Sequence, residues 1–157
     1  MIELRNVTKT YGKKQHLFTA LDDISFVIPD GKSVAIVGRS GSGKSTLMHA
    51  ISGLDRPETG EILIDGQDIL KLKSKAIDAF RSDKIGFIFQ AFFIQANETC
   101  FYNVALPLEI TKMKPSVRKG LIHEALYQVD LVEKEHEKAG NLSGGQKQRL
   151  AIARAIV

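Results

Sequence analysis

Residues Gly38-Arg39-Ser40-Gly41-Ser42-Gly43-Lys44-Ser45 follow the spacing G-x-x-x-x-G-K-[ST]. Each residue type has a physical use there. Glycines let the backbone wrap with its N–H groups turned inward, and a helix starting at the end of the loop adds positive potential. Lys44 offers an ammonium to outer phosphates, and Ser45 offers a hydroxyl to Mg²⁺. Average residue frequencies give a chance match in a chain of this length on the order of once in 250 sequences. A glycine turn that merely joins two elements is therefore the weaker reading. The loop binds nucleotide phosphates, a property shared by GTPases, nucleotide kinases and motor ATPases.

A second group lies about a hundred residues on. Leu142-Ser143-Gly144-Gly145-Gln146 precedes Lys147-Gln148-Arg149-Leu150-Ala151-Ile152-Ala153-Arg154-Ala155, which reads as a helix with one basic and one apolar face. Ser143 with Gln146 three residues later is the pattern of a capping box. Capping does not call for two consecutive glycines, which weaken a helix. Close approach of backbone N–H groups to a phosphate does.

The elements that must position these groups follow from the apolar pattern. Alternation predicts strands at Met1 to Thr8, Ile24 to Ile28 and Glu61 to Ile64, and the run Ser33 to Val37 predicts a buried strand feeding the loop. Turn chemistry stands at Pro29-Asp30-Gly31, Asp22-Asp23, Thr59-Gly60 and Asp65-Gly66. After Lys44 the residues Leu47, Met48, Ile51 and Leu54 recur at helical spacing, with Gly53 and Pro57 as a stop. A polar helix is expected over Ser74 to Ser82, ahead of the apolar stretch Ile85 to Phe89. A further helix starts after Pro115 with Val117, Leu121, Ile122, Ala125, Leu126 and Val129 on one stripe. The first half is mixed α/β and the second mostly helical.

Composition narrows the class further. The chain has 157 residues, 43% hydrophobic and 25% charged, which is ordinary for a globular domain. Its net charge of +4 is too small and too scattered to imply nucleic-acid binding. The single cysteine excludes an internal disulfide and any cysteine-cluster metal site, and the four histidines show no ligand spacing. No apolar run reaches membrane-span length, and the N-terminus lacks the pattern of a signal peptide. A reducing, cytoplasmic setting fits, with any membrane role exerted through a partner.

With both motifs in place, the sequence resembles the ATP-binding cassette (ABC) ATPases, whose signature LSGGQ stands letter for letter at Leu142 to Gln146. The resemblance implies an α/β fold: a P-loop NTPase core with an N-terminal β-subdomain and a helical subdomain, the C-terminal part of the domain missing. It divides the chain into an α/β core over 1–90, a mostly helical part over 91–142 and the signature helix over 143–157. It further implies that Tyr11, Gly38, Arg39, Ser40, Gly41, Ser42, Gly43, Lys44, Ser45 and Thr46 contact ATP, with Tyr11 stacked on adenine. Ser45 and Gln90 would serve Mg²⁺, and Gln90 would also position the attacking water and meet a transmembrane permease. Ser143, Gly144, Gly145 and Gln146 would face the ATP of a second cassette in a head-to-tail dimer, peripheral on the inner face of the membrane.

Segments Ser52-Gly53-Leu54-Asp55-Arg56-Pro57, Lys84 to Gln90 and Asn103 to Leu108 resemble the subgroup serving lipoprotein release and macrolide export. A cassette regulating cell-division machinery shares much of this pattern, and a non-hydrolysing nucleotide-binding chain is a third reading. The family pattern continues past the signature helix with a strand ending in Asp-Glu and then a histidine, neither of which is in these 157 residues. The expectation is exposed apolar surface beside the phosphate-loop strand, a fragile chain, weak ATP binding and no turnover in isolation.

Overall fold

The computed structural model describes residues 1–13 and 16–157, in two compact units, Met1–Arg81 and Ser82–Val157. In the first, strands β1 (Ile2–Tyr11), β2 (Phe18–Ile28), β3 (Thr59–Ile64) and β4 (Gln67–Asp68) form one antiparallel sheet in the order β2-β1-β3-β4. Helix α1 (Lys44–Ile51) packs against β2, and α2 (Ser74–Lys84) follows a single 3-10 turn at Ile69–Lys71. Leu4, Val7, Leu21, Ile62 and Ile64 from the strands and Leu47, Ala50 and Ile51 from α1 are buried, the one-sided burial expected of an antiparallel sheet.

Two of the expected turns lie inside strands. Asp22 and Asp23 sit within β2, where the β1–β2 register shifts and both Asn6 (φ 50°) and Asp23 (φ 49°) take left-handed backbone angles. The Asn6 side-chain amide donates to Asp23 Oδ1 at 2.7 Å, which holds the irregularity shut. Gly60 belongs to β3, opposite the bulge, with φ +97° and an ideal Cβ position 2.6 Å from the carbonyl oxygens of Arg5 and Asn6. Only glycine meets both demands.

Ser33 to Val37, expected as a buried strand, forms none, and Val37 is 87% and Val34 57% exposed. An apolar strand of this kind is stable only when neighbours pair both its edges and helices cover its faces. Among the described residues no strand pairs with it. Ile85 to Phe89 likewise has no regular structure. It is organised by its aromatic rings, Phe87 stacked on Phe89 at 4.7 Å and Phe93 edge-on to Phe89 at 5.2 Å.

The second unit is built on α3 (Cys100–Ile110), α4 (Pro115–Gln128) and α5 (Gly144–Ile156), which share a core including Val104, Leu108, Ile122, Leu126, Leu131, Leu142 and Leu150. Helix α4 starts with Pro115 as its first residue, where a missing N–H costs nothing. Of its predicted stripe, Ile122, Ala125, Leu126 and Val129 are buried while Val117 and Leu121 are exposed. The burying face is one turn shorter than the apolar pattern. Helix α3 carries Pro107 in its interior and opens on Thr99, whose side chain accepts from Tyr102 N.

Candidate functional site

Residues 38–43 wrap ahead of α1, with Ser42 N donating to Arg39 O at 3.2 Å. Gly43 stands at the N-cap with φ 86°, and α1 has no side-chain cap. Helices α3 and α5, by contrast, are capped by Thr99 and Ser143. The first amides of α1 are thus left for a partner outside the helix. An ideal Cβ on Gly43 would lie 2.3 Å from the carbonyl oxygen of Ala20, so the loop passes too close to β2 for any side chain at that position.

Lys44 Nζ donates to the carbonyl oxygens of Gly38 at 3.0 Å and Arg39 at 2.6 Å. The ammonium is thereby held over the loop by groups that carry no net charge, and it keeps its full attraction for an anion. A cleft of about 270 Å³ opens here, lined by Tyr11, Phe18, Ala20, Ser40, Gly41, Gly43, Lys44, Ser45 and Thr46. Tyr11 and Phe18 are directly opposed across β1 and β2 and are both exposed, forming the aromatic end of a cleft whose other end is cationic and rich in amides. That polarity suits a nucleotide, an aromatic base joined to phosphates. Mg²⁺ bound mainly by phosphates needs one or two protein oxygens rather than a cage. The Ser45 hydroxyl on the first turn of α1 fits that role, and no group of three or more His, Cys, Asp or Glu side chains able to hold a metal occurs among the described residues.

Sequence reasoning missed the groups behind Tyr11. Its hydroxyl donates to Asp55 Oδ2, and Lys9 Nζ lies 5.1 Å from the ring centroid. Buried Lys9 also contacts Asp55 Oδ1 at 3.1 Å, Glu58 Oε1 at 3.1 Å and the Arg56 carbonyl at 2.8 Å. Burial works against the Lys9 ammonium, but the two carboxylates overcome it and hold its pKa above the ordinary lysine value. Burial likewise opposes the Asp55 carboxylate, and Tyr11 and Lys9 overcome that to lower its pKa. The hydrogen bond to Asp55, and then burial, raise the Tyr11 phenol. A lysine at an inward position of β1 was the available signal, because a buried ammonium requires carboxylates nearby.

In the second unit Ser143 Oγ accepts from Gln146 N at 3.3 Å and Gln146 Oε1 accepts from Ser143 N at 2.9 Å, the reciprocal capping box. Gly144 and Gly145 have ordinary negative φ, and a Cβ on either would meet nothing within 4 Å. The chain's own packing therefore does not require glycine at either position. Gln90 is exposed, in a turn after the aromatic segment. Two residues with no functional signal in the sequence fix the backbone beyond that turn. Arg154 donates to the carbonyl oxygens of Phe93 at 2.8 Å and Phe92 at 2.6 Å, and buried Asn103 brackets Gln95, accepting from its N at 2.8 Å and donating to its O at 3.0 Å.

The family described as "ABC transporter" matches residues 21–157. The methionine import ATP-binding protein MetN of Coxiella burnetii is 41% identical over all of this chain and 44% of its own length. The lipoprotein-releasing system ATP-binding protein LolD of Syntrophotalea carbinolica is also 41% identical, over all of this chain and 69% of its own. The expected kinship with lipoprotein-release proteins is met, and a subunit of an importer is equally similar. The chain spans less than half the length of these MetN relatives. Among solved structures, the dimeric bacterial ABC transporter cassette MJ0796 superposes with a TM-score of 0.88 at 42% identity, covering 99% of this chain and 69% of that one. The same cassette in a post-hydrolysis state bound to ADP and Pi gives 0.88 at 41% identity. Two motifs, the cleft between Tyr11 and the loop, and these likenesses agree: the chain belongs to the ABC transporter ATP-binding family.

Proposed function

We propose that this chain is the nucleotide-binding part of an ABC transporter ATPase subunit, which binds ATP with Mg²⁺ and couples its hydrolysis to a membrane permease. The observation that carries the reading is the uncapped N-terminus of α1, opening with Gly43 and Lys44 into a cleft whose far end is aromatic. The phosphates would lie against the amides of the loop and the Lys44 ammonium, Ser45 would hold the cation, and the base would stack on Tyr11. The bound cation would supply charge neutralisation of the phosphates.

Gly144 and Gly145 have open space and no conformational need for glycine, which supports approach of a phosphate from a second copy of the cassette. The Ser143 hydroxyl accepts within its own capping box and still has a proton to donate outward. Gln90, in an exposed turn, is proposed to carry motion to the permease. The likeness to LolD and MetN supports a subunit peripheral to the membrane, and no helix among the described residues is long and apolar enough to cross one. We assign nucleotide contacts to these 157 residues and expect the polypeptide they form to bind ATP without turning it over.

Lys44→Ala is expected to weaken MgATP binding by more than tenfold, because one charge-assisted contact to phosphate contributes about 1.5–3 kcal/mol. Equilibrium dialysis with labelled ATP measures it. Equal affinity in the wild type and the variant would sink the assignment.

A further inference from the structure

The base end and the phosphate end of the cleft are joined by a short chain of contacts. The Tyr11 hydroxyl donates to the Asp55 side chain, and the backbone N–H of Asp55 donates in turn to the carbonyl of His49 at 3.1 Å, in the last turn of α1. Leu54 N bonds the same carbonyl at 2.9 Å. Asp55 is thus fixed to the C-terminal end of the helix whose N-terminal end opens on the phosphate loop. Its second oxygen is held by the Arg56 N–H at 2.8 Å and by Lys9 Nζ at 3.1 Å, so the carboxylate has one orientation. Glu58 braces the same strand end, accepting from Thr10 N at 2.8 Å and contacting Lys9 at 3.1 Å. Tyr11 is the last residue of β1, half exposed and beyond the sheet's main packing. Without such a tether its ring would sample several rotamers.

We propose that Asp55 is a positioning residue for the nucleotide base. It sets the distance and tilt of the Tyr11 ring relative to the phosphate loop by tying the phenol to α1, so that stacking of an aromatic base and capture of phosphate act on one rigid frame. The inference rests on the reading of the cleft as a nucleotide site and assigns the specificity-determining geometry within it. Lys9 supports the arrangement from behind, neutralising Asp55 and placing a cation 5.1 Å from the ring centroid. The ligand class is a nucleoside phosphate. An inorganic phosphate chain engages the loop alone and gains nothing from the tether.

The test uses the intact protein and two probes, MgATP and magnesium tripolyphosphate, each followed by calorimetry. Tyr11→Phe removes only the phenol oxygen and keeps the stacking face; Asp55→Ala removes the acceptor. Freeing one side chain that binding must then immobilise costs about 0.5–1.5 kcal/mol, so each variant is expected to bind MgATP about 2–13-fold more weakly. The double variant should be no weaker than the poorer single variant, because both remove the same contact. Tripolyphosphate affinity should not change. Singles that bind MgATP like the wild type, losses that multiply in the double variant, or an equal loss for tripolyphosphate would each overturn the proposal. Should Asp55→Ala unfold, as read by far-ultraviolet circular dichroism, Tyr11→Phe with the two probes decides alone. A wild-type protein that fails to bind MgATP at all overturns the parent reading and this one with it, whereas wild-type binding with unaffected variants overturns only the tether.

Discussion

Gly43 and Gly41 share a left-handed backbone but differ in surroundings, and the difference separates backbone strain from steric exclusion. Gly43 combines φ +86° with a Cβ position 2.3 Å from Ala20 O, whereas Gly41, at φ +79°, has nothing within 4 Å. An alanine in left-handed backbone costs about 1–2 kcal/mol. Gly41→Ala should therefore lose about that much in urea unfolding. Gly43→Ala should lose about 3 kcal/mol or more, adding to that strain an overpacking cost of about 1–3 kcal/mol as the loop is forced off β2. Equal midpoints for the two variants would show that the contact with Ala20 does not constrain the loop. Lys9 shows the same dependence on surroundings in a charged residue. Its ammonium is buried without loss because two carboxylates and a carbonyl meet it, so a residue type that normally marks solvent here marks the inside of a network.

Among the elements, α3 and the segment before it show what could and could not be read in advance. The phosphate loop, α1 and the capping box at Ser143 were legible because each is specified within a few neighbouring residues. The helix Cys100–Ile110 was not, since Pro107 argues against a helix and its capping residue, Thr99, is one polar residue among several. Tertiary packing of Val104, Ala105 and Leu108 into the helical core outweighs the proline. Nor does spacing reveal Asn103, which sits eight residues from its partner and works only once α3 exists. Its side chain accepts from Gln95 N and donates to Gln95 O and Thr99 O. Asn103→Ala should leave both polar groups of Gln95 without their partner, destabilising the helical unit by about 2–3 kcal/mol, since a buried unpaired group costs about 1–3 kcal/mol. Hydrogen exchange at the Gln95 amide should accelerate in step with the shift of the denaturation midpoint. A midpoint and an exchange rate that match the wild type would remove Asn103 from the role of anchor for the segment after Gln90.

At the scale of the molecule, the strand predicted at 33–37 fails for want of a partner. Val34, Ile36 and Val37 are as β-prone as any residues in the chain, and Ile85, Phe87, Ile88 and Phe89 share that preference. Strand propensity, however, is realised only as pairing. Every strand of the first unit's antiparallel sheet finds its partners inside that unit: β1–β2 and β3–β4 are hairpin pairs, and β1 pairs with β3 across the segment that carries α1. A parallel strand must borrow partners from far along the chain through crossover connections. Among the described residues nothing pairs with 33–37, and Val34 and Val37 stand in water, with Ile88 half exposed as well. Surface of this kind is normally covered, and a polypeptide of these 157 residues should bind the dye anilinonaphthalene sulfonate strongly and self-associate as its concentration rises. Replacing Val37 with lysine should lower both signals by charging the most exposed apolar side chain of the patch while leaving the four-stranded sheet intact by circular dichroism. A dye-silent, monomeric wild-type polypeptide at high concentration would mean that the segment is covered in solution and that its exposure has no consequence for association.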